Sequence, residues 1–227
     1  NPELGDVDSE PTTSAIMGDI VQTDDDEVTY TIDVVGSAPL ERIDLRDGHD
    51  TFETIRAYDE ASLGNRIRIV CEGANYRGRG RNVNWDCTAT FDAAKIKRVK
   101  GFNFWNAEKQ AGQTSDNIVQ WQCVTTGGYS AVDIWLEDGA EGTLKIDSNI
   151  INAEIPLADI GLEDMTYDCG GLFKALRVFR LPDENTKFDM TLSRKVKLRE
   201  DGDTRLYCRV TQEDGHQGWS SPIYLFK

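Results

Sequence analysis

Few of the side chains that do chemistry in enzymes are present, and their spacing does not let them cooperate. The 227 residues contain two histidines, His49 and His216, each set among turn-forming neighbours. A hydrolytic zinc or manganese centre gathers several histidines and carboxylates from convergent loops, and neither H-x-H nor H-E-x-x-H occurs. Asp214, His216 and Ser220 are the side-chain types of a hydrolytic triad. They crowd one hairpin, however, and no nucleophile elbow surrounds the serine. The acidic turn Asp24-Asp25-Asp26-Glu27 lacks the alternating ligands and the glycine of a calcium loop. No phosphate-binding loop or dinucleotide fingerprint appears. The residues therefore predict a chain that is not itself an enzyme, with no catalytic residue, no metal ligand and no cofactor.

Binding chemistry is better represented. Tyr76-Arg77-Gly78-Arg79-Gly80-Arg81 alternates arginine with glycine, a short tract able to contact nucleic acid. The surrounding charge argues the other way: 40 acidic against 25 basic residues leave a net charge of −15, which repels phosphate backbones and anionic lipid. Neither nucleic acid nor membrane is expected as a partner, and the arginines read as a basic loop that pairs with acidic surface. Four of the five tryptophans, Trp85, Trp105, Trp121 and Trp135, fall between residues 85 and 135. Aromatic rings on a β face can stack on sugars, yet tryptophans alternating with aliphatic residues in strands mostly belong to the core. The expected contact or ligand surface is the Asp214-Gly215-His216 turn with Trp219, together with Arg77, Arg79 and Arg81.

The elements that would position these residues are strands. Val28, Tyr30, Ile32 and Val34 alternate with Thr29, Thr31 and Asp33, a strand with one buried face. The segments 40–45 and 51–57 flank Asp47-Gly48, a hairpin signal, and RIRIVCE (66–72) adds another strand. Further strands are expected at 83–91, 95–104, 118–125, 130–137, 143–147, 151–155, 174–181 and 188–198, with a long loop over 106–117 and a helical turn over 157–162. Leu206, Cys208 and Val210 share a face in a final hairpin whose second strand is Ile223–Phe226. A hairpin this apolar must lie centrally in a sheet. No segment sustains a helical period beyond about one turn.

Each of the five cysteines, at 71, 87, 123, 169 and 208, falls in phase with apolar neighbours, and no C-x-x-C pair occurs. That phasing and the odd count favour reduced core thiols over a disulfide framework. A hydrophobic fraction of 39% with 29% charged residues describes a globular protein that buries a real core. Nothing approaches ~18 consecutive apolar residues, so no spanning segment is expected. No export signal is visible, and the absent initiator methionine suggests a piece of something longer or a processed product. The reduced thiols suggest a cytoplasmic setting, with a secreted or periplasmic one as the alternative.

The fold class predicted is all-β: an immunoglobulin-like sandwich of residues 19–75 and 187–227, interrupted by a second β module over 76–186, after a linker over 1–18. Two consecutive sandwiches are the alternative layout.

The wording of several segments resembles a bacterial family of uncharacterised proteins. In that family an N-terminal metal-dependent phosphoesterase-like domain, of the polymerase and histidinol phosphatase (PHP) type, precedes a C-terminal β region. The similar segments are AIMGDI (15–20), VVGSAPLERIDLRDG (34–48), YRGRGRNVNWDC (76–87), FNFWN (102–106), TTGGYSAVDIWLED (125–138), GLEDM (161–165), RVFRLP (177–182) and VTQEDGHQGWSSPIYLF (210–226). They cover nearly the whole chain, although none is a catalytic motif. The resemblance implies that this chain is the accessory part of a metal-dependent hydrolase, with the N-terminal catalytic domain as its partner. A carbohydrate- or ligand-binding sandwich is the alternative.

Overall fold

The computed structural model describes residues 10–74, 81–106 and 108–227. Among these residues every regular element of more than one turn is a strand. The 3-10 turns Glu60–Ser62 and Leu157–Asp159 are the only helical pieces among the described residues. No helix among those residues is long and apolar enough to cross a membrane.

The chain divides into two compact units, one of residues 1–57, 188–212 and 216–227, the other of residues 58–187 and 213–215. Strands β1 (Ile20–Gln22), β2 (Glu27–Val35), β3 (Leu40–Asp47) and β4 (Asp50–Arg56) open the first unit. The second contains β5 (Arg66–Glu72), β6 (Val83–Phe91), β7 (Ile96–Phe102), β8 (Gly112–Ser115), β9 (Ile118–Thr125), β10 (Tyr129–Leu136), β11 (Thr143–Ser148), β12 (Asn152–Pro156), β13 (Met165–Asp168) and β14 (Ala175–Leu181). The first unit then closes with β15 (Asp189–Lys197), β16 (Thr204–Gln212), β17 (Gln217–Trp219) and β18 (Ile223–Phe226).

In the first unit, a sheet in the order β1-β18-β16-β3-β4, with β17 also on β16, faces the pair β15-β2. The order β4-β3-β16-β18 opposite β2-β15 is the C′-C-F-G and B-E pairing of an immunoglobulin-type sandwich. Its core forms because alternate residues of each strand are apolar: Tyr30 and Ile32 from β2, Ile43 and Leu45 from β3, Leu206 and Cys208 from β16, and Leu225 from β18. The β3–β4 hairpin closes through Gly48 and His49, and Gly48 takes φ of +61°, which suits glycine at the first central position of a tight hairpin turn. The final hairpin is central, as its apolar face requires: β16 pairs with β3, β17 and β18.

In the second unit two five-stranded sheets, β13-β14-β5-β10-β7 and β12-β11-β6-β9-β8, enclose one core. Trp85, Phe91, Trp121, Ile67, Ile69, Val132 and Ile134 are among its members. The other face of the β5 sheet carries a smaller apolar cluster, with Val70, Phe102, Phe179 and Leu181.

Two expectations are corrected. The boundary placed after residue 75 comes too late, since β5 lies between β10 and β14 in the second unit. RIRIVCE, expected as a strand, is β5, and Arg66 and Arg68 are buried against carboxylate and aromatic groups, so both of its faces are covered. The expected loop over 106–117 contains the short strand β8. After the turn expected at 214–216 the short strand β17 begins at Gln217, so the bend is confined to residues 213–216.

Candidate interaction face

Residues of one parity along β1, β18, β16 and β3 point away from the core of the first unit, and they are unlike those facing inward. Across the sheet Ile20 stands beside Tyr224, Tyr224 beside Arg205, and Tyr207 beside Arg46. On β17 Trp219 stands beside Arg209. Trp219 is 58% exposed, Tyr224 38% and Ile20 72%. The result is a stripe of arginine alternating with aromatic residues.

The polar members of this stripe are held in place. The guanidinium of Arg46 lies 5.5 Å from the centre of the Tyr207 ring and donates to the His49 carbonyl at 2.7 Å. The Tyr207 hydroxyl donates to the Gly48 carbonyl at 2.7 Å, which fixes the ring beneath it. Arg209 donates from Nε and Nη2 to Asp44 Oδ2 at 2.9 and 2.6 Å, and Thr54 donates to Asp44 Oδ1 at 2.8 Å. Asp44 is buried while Arg209 is partly exposed, so the carboxylate acts as an anchor and the guanidinium as a presented group. Rigid, half-exposed arginine beside tyrosine and tryptophan is the composition of protein-contact hot spots.

The expected contact residues separate. Trp219 lies on this stripe, and His216 is exposed in the bend before β17. Asp214 is half-buried and belongs with Glu213 and Gly215 to the second unit. There Arg66 Nη1 donates to Glu213 Oε1 and Arg68 Nη2 to the Glu213 carbonyl, both at 2.9 Å. Gly215 is buried with Asn103 directly above its Cα, and any Cβ would meet the Asn103 amide at 2.7 Å. Glu213 and Gly215 are therefore packed as structure, while His216 stays exposed. Arg81 is exposed just before β6, whereas Arg77 and Arg79 lie outside the described residues.

Residues 66, 68 and 133 form a charged network that sequence periodicity gave no reason to expect. Arg68 Nε and Nη2 donate to the two Asp133 oxygens at 2.6 and 2.9 Å, and Arg66 Nε donates to Oδ2 at 2.8 Å. Arg66 stacks 4.7 Å from the Trp135 ring and Arg68 4.5 Å from the Phe102 ring. All three charged groups are buried and the donors converge on acceptors, which marks a structural assembly.

The tryptophans divide by position. Trp85 and Trp121 are core residues, and Trp85 Nε1 donates to Thr125 Oγ1 at 3.1 Å. Trp135 donates to the Asp183 carbonyl at 3.0 Å, beneath Arg66 and Arg98. Trp105 is 80% exposed, in the loop before β8. Within that loop Asn106 accepts from the Lys109 and Glu108 amides at 3.1 and 2.8 Å. A shallow cleft of about 280 Å³ follows, lined by Lys109, Gln110, Asp86, Gln120 and Gln122. The row Gln122–Asp86 and Gln120–Thr88 on the same sheet face is joined by hydrogen bonds of 2.9 and 3.3 Å.

All five cysteines are unpaired thiols, four of them buried. Burial pushes the Cys71 thiol well above its ordinary range, and its hydrogen bond to Cys123 draws the Cys123 thiol below. Among the described residues no cluster of histidine, cysteine, aspartate and glutamate has the arrangement of a metal site. Comparison of the chain with protein-family models, with curated proteins and with solved structures finds no match in any of the three.

Proposed function

We propose that this chain is a non-catalytic accessory module that holds a partner protein domain against the arginine–aromatic stripe of its first unit. The observation that carries this reading is Trp219: a large apolar ring left 58% exposed, beside an arginine whose geometry is locked from below by buried Asp44. Exposing an indole on a rigid sheet gains nothing for folding, whereas a rigid ring loses little entropy when a partner covers it. The resemblance of the sequence to the β region of PHP-type proteins supplies the partner class, a metal-dependent phosphoesterase-like domain.

The test is to mix the chain with the PHP-type domain encoded in its own reading frame, produced separately, and to measure association by titration calorimetry. Binding that weakens on Trp219→Ala by about 30-fold or more, as for a central hot spot, is the expected result. Binding indifferent to Trp219 and Tyr224, or a reading frame without such a domain, overturns the proposal. Phosphoesterase turnover by the isolated chain with added manganese or zinc overturns it as well.

A second reading is favoured by the cleft lined by Asp86, Gln120 and Gln122, and by exposed Trp105 in the loop that adds Lys109 and Gln110 to that lining. Amide and carboxylate side chains in a row, with an exposed indole in the loop that supplies Lys109 and Gln110, suit a polyhydroxylated ligand such as a sugar chain. Glycan binding abolished by Trp105→Ala and by Gln122→Ala, and unchanged by Trp219→Ala, supports that reading over the first.

A further inference from the structure

Among the described residues, the sheet formed by β2 and β15 contains those two strands alone. In the complete sandwich a further strand flanks each of them, in the order A-B-E-D. Which backbone groups face outward follows from the register. Gly36 N donates to Phe188 O at 2.7 Å and Leu198 N to Asp26 O at 2.8 Å, one at each end of the ladder. With the register running unbroken between them, the even-numbered residues of β2 exchange hydrogen bonds with β15. The amides and carbonyls of Thr29, Thr31, Asp33 and Val35 therefore point to the opposite edge, where no strand pairs with them among the described residues.

The two edges differ in their protection. β15 carries Lys195 and Lys197 on its exposed face, the ordinary guard against unwanted pairing. β2 has no lysine, no proline and no bulge along its nine residues. Beside its first half opens a cleft of about 410 Å³ whose floor includes the core side chains Val21, Val28, Leu206, Ile223 and Leu225. Asp25 and Glu27 stand at its margin. Segment 12–15 passes over the cleft with local hydrogen bonds, Thr12 Oγ1 to Ser14 O at 2.6 Å and Ser14 N to Thr12 Oγ1 at 3.2 Å. The sandwich is thus open on one seam, with backbone donors and acceptors along it, an apolar floor and acidic groups at one end.

We propose that the free edge of β2 takes an extended peptide strand in which apolar residues alternate with lysine or arginine. Its backbone continues the ladder at Thr29, Thr31 and Asp33, one or two apolar side chains enter the seam, and a cationic side chain meets Asp25 and Glu27. The charge selects a basic peptide over a second copy of this chain, because pairing two copies brings −15 against −15 and Glu27 and Asp33 toward another acidic edge. The site is separate from the arginine–aromatic stripe, which lies on the outer face of the other sheet.

Thr31→Pro tests the geometry directly. It removes an amide that points outward and leaves the even-numbered ladder with β15 intact. The probe is a synthetic nine-residue peptide alternating valine with lysine and threonine, matched to the length of β2. Binding to the unaltered chain at micromolar to about 1 mM peptide, lost in Thr31→Pro and weakened at least about tenfold in Asp25→Lys, is the expected result. If Thr31→Pro fails to fold, Asp25→Lys and the loss of binding on raising the salt carry the test. No binding at 1 mM, or equal binding by all three proteins, overturns the proposal. A dimer of the unaltered chain in sedimentation that Thr31→Pro makes monomeric overturns it too, by giving the edge to a second copy.

Discussion

Two regions of this protein set arginine over an aromatic ring beside aspartate, and they do opposite things. In the second unit Arg66 and Arg68 lie over Trp135 and Phe102, and Asp133 between them is sealed from solvent. In the first unit Arg46 lies over Tyr207 and Arg209 beside Trp219, with only Asp44 buried. Residue types alone do not separate a structural network from a presenting surface. What separates them is whether the guanidinium keeps a route to water. A sealed charge must be matched by its neighbours, while a half-exposed one can exchange them for a ligand.

The largest effect expected from breaking this contrast is at Asp133. Asp133→Ala leaves Arg66 and Arg68 buried without their shared carboxylate and should cost about 3–5 kcal/mol, read as a lower denaturant midpoint. Trp85→Ala in the same unit belongs to the same class, at about 3–5 kcal/mol, because a fully buried indole leaves a cavity. Trp219→Ala should change stability by no more than ~0.5 kcal/mol, since its ring is already largely in water. A stability loss at Trp219 comparable to that at Trp85 would make the stripe structural and remove the basis for reading it as a contact surface.

Asp44 sharpens the comparison, because it is as buried as Asp133 but bonds an arginine that can turn to solvent. Asp44→Ala should therefore cost about 1–3 kcal/mol, less than Asp133→Ala, with the same probe. Equal losses at the two aspartates would mean that Arg209 is as confined as Arg68.

How far the sequence carried these distinctions depended on periodicity. Strands such as Val83–Phe91 and Ile118–Thr125 have strict alternation against one core, and their limits were legible to the residue. β1, β8, β13 and β17 were not, because each has only three or four residues and takes its conformation from a neighbouring strand. RIRIVCE shows the deeper limit. Its arginines alternate with isoleucine as solvent-facing residues do, and it is Asp133, 65 residues from Arg68, together with Glu213 that makes their burial affordable. Within the turn at 214–216 the residues divide in a way the sequence does not show: Gly215 is wedged against Asn103 while His216 is exposed. Trp219, named from the sequence as part of a contact surface, is exposed, and its arginine neighbours arrive through strand pairing that the chain order conceals.

A smaller effect is expected at high pH. Burial raises the Tyr30 phenol above its ordinary value, and the nearby Cys208 thiol adds to the rise. The folded state thus favours the neutral phenol, so this contribution is complete below the unfolded value of about 10 and is lost as pH rises through the folded one. The stability difference between the unaltered chain and Tyr30→Phe should shrink between about pH 9 and pH 11, measured by urea denaturation. A constant difference over that range would mean that the phenol ionises alike in both states.

The smallest effect is at the exposed pair of Asp26 and Lys227, where the hydrogen bond and charge of Lys227 hold the Asp26 carboxyl below its usual range. A lowered folded value contributes stability above the unfolded one and loses it as pH falls. Because both groups are solvated, Lys227→Ala should leave the denaturant midpoint at neutral pH within error. It should nonetheless move the Asp26 carboxyl titration upward in a carbon-detected NMR experiment, and added salt should do the same to the unaltered chain. If the midpoint falls measurably instead, the pair ties the end of β18 to the start of β2 more firmly than its exposure allows, and the open seam beside it is more rigid than a strand-accepting edge can be.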